Sequence, residues 1–180
     1  MSTFKRFGYA VSIFTTAAAF TFFGLFTRNM REACLVLAII MLAVAFHLII
    51  RLVLVNLCEY LIKNLNVNEK RFIEKPFERK LYKFLKVHRW KTRWDVFDES
   101  AYLLKYNSVD ELLEAGCRSE ITHFLCALTG FVSILFTFPF GHAVIYIVTS
   151  VLGAVFDLLF VAVQRYNRPR LKSAAEKGVN

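Results

Sequence analysis

ACLVLAIIMLAVAFHLIIRLVL, residues Ala33–Leu54, is apolar throughout except for His47 and Arg51. A span of this kind matches the ~20 residues that an α-helix needs to cross the hydrocarbon core of a bilayer. Three further runs share its character: Tyr9–Phe26, Ile121–Phe140 and Ala143–Val163. Hydrophobic residues make up 57% of the 180-residue chain, above the ~45–50% usual for soluble domains. The sequence therefore predicts an all-α, polytopic membrane protein forming one domain. Its transmembrane helices are expected at about 9–26, 33–57, 119–140 and 143–165, with a cytoplasmic segment at 58–118 and a basic tail at 166–180. Ser12, Thr15, Thr16 and Thr21 dilute the first run, and Lys5, Arg6 and Ala17–Ala19 also fit a secretory signal. The expectation here is a retained first helix, because the second run follows almost at once.

Charge sets the expected orientation. Positive residues collect before the first run, in the middle segment and after the fourth run, where Arg165, Arg168, Arg170, Lys172 and Lys177 stand. The positive-inside rule then places both termini and the middle segment in the cytoplasm. A net charge of +9 suits an anionic membrane surface or an anionic ligand. Nucleic acid is not expected, since no recognised binding motif accompanies the charge. Cys34, Cys58, Cys117 and Cys126 show neither CxxC nor metal-like spacing, so they read as apolar thiols and no metal site is predicted.

The middle segment reads as an interfacial collar. Pro76 can open a helix, and Phe77, Leu81, Phe84 and Leu85 then fall on one face, flanked by Arg79, Lys80, Lys83 and Lys86. Such a helix can lie in the headgroup plane with its apolar face buried. In Val87–Asp95 (VHRWKTRWD), Trp90, Lys91 and Trp94 fit either an interfacial anchor or the wall of an anionic-ligand site. Ser108 and Glu111 form a candidate capping box ahead of the third membrane run.

Ionisable groups within the apolar runs gather toward the ends expected on the cytoplasmic side. Such groups usually mark a site or pair with a partner. At 1.5 Å per residue, Arg51 lies roughly 9 Å, His123 roughly 6 Å and Asp157 roughly 12 Å from the expected helix ends. His47 shares a helical face with Arg51, Glu120 with His123, and Asp157 with Gln164. Arg51 and Asp157 read either as an interhelical ion pair or as part of a polar pocket. Glu120 and His123 read either as an interfacial polar pair or as a general base with its orienting carboxylate. Haem ligation by His47 and His123 has little support, because only one such histidine pair is available and His142 falls at the opposite face.

Three stretches occur together in one order: Phe84–Lys91 (FLKVHRWK), Arg118–His123 (RSEITH) and Gln164–Leu171 (QRYNRPRL). Together they resemble the bacterial glycosyl-4,4'-diaponeurosporenoate acyltransferase family over roughly Asn68–Leu171. The resemblance implies an integral membrane enzyme of the bacterial cytoplasmic membrane that attaches a fatty acyl group to a glycosylated lipid-like acceptor. It also implies that Trp90, Lys91, Glu120, His123 and Gln164–Arg170 belong to one unit. The resemblance does not assign the chemistry; from the polar-layer reading His123 and Glu120 are expected to be catalytic. Trp90, Lys91, Gln164, Arg165, Asn167, Arg168 and Arg170 contact an acyl-CoA-like donor, and His47, Arg51, Arg118 and Asp157 support the layer. No bound cofactor is expected; the partners are membrane lipids and the acceptor. The alternatives are a non-catalytic adapter that binds anionic lipid or a partner protein, and another intramembrane group transferase such as a methyltransferase.

Overall fold

The computed structural model describes residues 3–29, 31–63, 65–90 and 108–176. Among these the secondary structure is helical, without strands. The helices are α1 (Thr3–Asn29), α2 (Glu32–Leu61), α3 (Pro76–Phe84), α4 (Val87–Trp90), α5 (Val109–Thr129), α6 (Thr137–Phe140) and α7 (Ala143–Glu176). Short 3-10 segments occupy Lys70–Phe72 and Gly130–Phe136. Among the described residues four stretches are long and apolar enough to cross a membrane: Lys5–Arg28, Glu32–Leu61, Val109–Phe140 and Ala143–Ser173. Large apolar side chains such as Phe14, Phe20, Val144 and Leu152 point outward from them, as a lipid solvent permits.

The long helices extend past the limits set by hydropathy, the third and fourth by the most. The third begins at Val109, because the Ser108 amide donates to the Glu111 carboxylate at 2.8 Å and the Glu111 amide donates back to Ser108 Oγ at 3.3 Å. This reciprocal cap satisfies amides that have no partner inside a helix. The fourth continues through QRYNRPRL to Glu176, with Pro169 inside it rather than ending it.

The chain divides into two compact units, Met1–Leu57 with Leu125–Asp157, and Cys58–Phe124 with Leu158–Asn180. In the first, Ile39 and Ala43 of α2 pack on Tyr146 of α7, with Leu35, Ile134, Phe136 and Ile145 around them. The fully buried hydroxyls of Ser133 and Ser150 lie 2.9 Å apart, and Ser150 Oγ donates to the Gly130 carbonyl. At the far end of this unit Asn56 bridges α2 to α1, accepting from Lys5 Nζ at 3.0 Å and donating to Tyr9 Oη at 2.9 Å.

In the second unit, Tyr82 and Val87 pack on Val163 of α7, with Leu85, Ala162 and Tyr166 alongside. Helix α3 turns Glu78 and Tyr82 inward and leaves Phe77, Leu81 and Phe84 exposed. Its apolar face thus points away from the protein, the arrangement expected of a helix whose other partner is lipid.

Candidate functional site

Helix α7 supplies the two arginines of an ion-pair network in the second unit. Arg165 donates from Nε and Nη2 to Glu78 Oε1 at 3.1 and 2.7 Å, and from Nη1 to Glu120 Oε1 at 2.6 Å. It also donates to the carbonyls of Arg71 at 2.9 Å and Ile73 at 3.2 Å. A guanidinium has five N–H groups, so these bonds occupy all of them. Arg168, 3% exposed, donates to the other oxygen of Glu120 and to the Phe72 carbonyl, and lies over the Phe72 ring. Two arginines and two glutamates therefore form a charge-balanced network. Ion pairs removed from water need this degree of hydrogen bonding to offset desolvation.

Tyr82 closes the network on the α3 side, donating to Glu78 Oε2 at 3.1 Å and meeting Tyr166 edge-on. Burial, together with the Glu78 charge, raises its phenol above the ordinary range and keeps it protonated as a donor. Glu78, Tyr82 and the carbonyls of 71–73 had not been expected as site residues. Their signal was weak: Glu78 is one carboxylate among many basic residues on an amphipathic helix, and it meets Arg165 only through the tertiary fold.

His123, one turn beyond Glu120, stacks nearly parallel on Phe160 of α7, with ring centroids 4.6 Å apart and 7° between planes. The stack covers one face of the imidazole ring. Gln164 projects beside Gly116, where a Cβ would stand 3.2 Å from Gln164 Oε1. At this position a larger residue would require the Gln164 side chain to shift by a few tenths of an ångström. Asn167 is half-buried on the same helix. Arg118 pairs with Glu114 at 2.7 Å along α5. Arg170 is exposed and folds over the Tyr166 ring at 3.6 Å. Trp90 belongs to α4 by its backbone, and its side chain, like Lys91 and Trp94, lies outside the described residues.

Three of the other expected residues meet within the first unit. Arg51 donates from Nη2 to Asp157 Oδ2 at 2.7 Å, from Nε to Oδ1 at 3.3 Å, and to the Gly153 carbonyl at 3.2 Å. Asp157 is fully buried. His47, 7% exposed, fits beside Gly130 and Gly153, where added Cβ atoms would stand 3.2 Å and 3.5 Å from its ring. Among the described residues no group of three or more His, Cys, Asp or Glu side chains is arranged to hold a metal ion.

A sequence model of the family described as glycosyl-4,4'-diaponeurosporenoate acyltransferase matches residues 68–177. That stretch contains all four charged members of the network, together with His123 and Phe160. Comparison with curated proteins and with solved structures returns no match.

Proposed function

The chain belongs to the glycosyl-4,4'-diaponeurosporenoate acyltransferase family, and from that premise we propose that it moves a fatty acyl group from a CoA-type donor to a hydroxyl of a lipid-like, glycosylated acceptor. The reaction belongs at the cytoplasmic face of a bacterial membrane, where the basic segments meet the donor. In this reading His123 takes the proton of the acceptor hydroxyl. The oxygen then adds to the thioester carbonyl, the carbon–sulfur bond breaks, and the thiolate leaves with a proton returned by the imidazolium.

Glu120 sets the electrostatic environment of His123 from one turn away. Arg165 and Arg168 fix that carboxylate rather than the donor, since their guanidinium groups are engaged inside a neutral network. The donor's phosphates then fall to cations that remain accessible, Arg170 and the basic face of α3, with Lys91 as a further contact. Gln164 is the candidate donor to the developing oxyanion. The observation that carries the reading is that RSEITH and QRYNRPRL, far apart in sequence, meet through Glu120, Arg165 and Arg168 in the stretch the family covers.

The test is acyl transfer from labelled acyl-CoA to a glycolipid hydroxyl by the protein in vesicles. Replacing His123 by Ala should lower turnover by ~100-fold or more, with membrane insertion unchanged. Undiminished turnover in that variant removes the proposed base. A wild-type protein that binds anionic vesicles but transfers nothing would favour the adapter alternative.

A further inference from the structure

The α3 carboxylate belongs to the same machinery. We infer that Glu78 is a positioning residue for Glu120, acting through Arg165, and this inference rests on the acyl-transfer reading above. Glu78 is 5% exposed, and one of its oxygens receives both Nε and Nη2 of Arg165 while the other receives the Tyr82 hydroxyl. The remaining edge of Arg165 meets Glu120 at 2.6 Å. The guanidinium is planar and its donors are fixed in a fork, so the position of Glu78 dictates where Nη1 can point. The carbonyls of Arg71 and Ile73 complete the orientation.

Charge reinforces the geometry. With Glu78 present, Arg165 divides its charge between two carboxylates and Arg168 neutralises the rest of Glu120. Without the Glu78 charge, two guanidinium groups converge on Glu120 alone and blunt its influence on the neighbouring imidazole. Glu78 is thus a determinant of turnover that touches neither substrate.

The placement of Glu78 on α3 extends the argument. This helix directs Phe77, Leu81 and Phe84 outward and Glu78 and Tyr82 inward. Whatever seats its outer face also seats the carboxylate that aims Arg165.

Two measurements test the inference. In the first, Glu78→Gln and Glu78→Asp are compared with wild type in the vesicle assay. The Gln variant should lose kcat by roughly tenfold or more, with KM for donor and acceptor within about twofold, and the Asp variant should recover most of the loss. A kcat within twofold of wild type overturns the inference. So does a parallel fall of kcat, apparent affinity and thermal midpoint, which marks a merely structural role. The His123→Ala variant, run alongside, reports on the acyl-transfer reading separately.

The second measurement needs no turnover. Thermal unfolding of Glu78→Gln, Glu120→Gln and the double variant should be non-additive, and the coupling should vanish when Arg165 is Met. Additive shifts in both backgrounds refute communication through Arg165, whatever the protein's substrate.

Discussion

At the scale of single residues, the ion pair of the first unit bears directly on stability. Asp157 is fully buried and its carboxylate is matched by Arg51, whose side chain retains 23% exposure. Removing one partner of a buried ion pair costs about 3–5 kcal/mol, because the other charge stays behind without compensation. Asp157→Leu alone should therefore lower the thermal midpoint sharply, and Arg51→Met alone comparably. The double variant should regain most of the loss, since apolar replacements of similar volume are often neutral where no water competes. Unfolding curves in a lipid-like detergent decide this; an undisturbed single variant would show the pair to be energetically idle. His47 needed the fold to be interpretable. Its i, i+4 relation to Arg51 was visible in the sequence, but the small residues that admit its ring, Gly130 and Gly153, lie on segments far along the chain.

At the scale of elements, local signals and tertiary contacts divide the work. The Ser108–Glu111 cap could be read directly, because both partners lie within one turn. The persistence of α7 through Pro169 could not. Proline removes a backbone bond and crowds the preceding turn, yet Arg165 and Arg168, in the turn before it, are tied to Glu78, Glu120 and the 71–73 backbone. Those bonds hold the helix through its weak point. For α3 the period of Phe77, Leu81 and Phe84 was evident, but which face packs on protein depended on Glu78 meeting Arg165, 87 residues away. The exposed stripe yields its own prediction. A nitroxide at Phe84→Cys should be relaxed strongly by oxygen, which partitions into lipid, and weakly by a water-soluble nickel chelate. The reverse pattern would place α3 in water. Phe77→Glu combined with Phe84→Glu should also reduce kcat, because it unseats the helix that carries Glu78.

At the scale of the molecule, the four apolar stretches among the described residues, an even number, bring the two ends of the helical bundle to one side if every stretch crosses the membrane. Hydropathy made this architecture legible, since it reports on solvent and needs no knowledge of contacts. The distribution of cations sets the expected side. Lys and Arg crowd residues 70–93 and 165–177, whereas the short Phe140–Ala143 connection carries none. Moving so many cations across a bilayer opposes the bias that orients membrane helices, so the cytoplasm is the expected side for the collar and both ends. The expectation can be checked in a background with the four native cysteines replaced by serine. His142→Cys should react with a membrane-impermeant maleimide on intact cells, and Lys70→Cys and Ser173→Cys only after permeabilisation. Labelling of Ser173→Cys from outside would invert the topology. It would also remove cytoplasmic acyl-CoA as the donor, because the cations assigned to its phosphates would then face the wrong compartment.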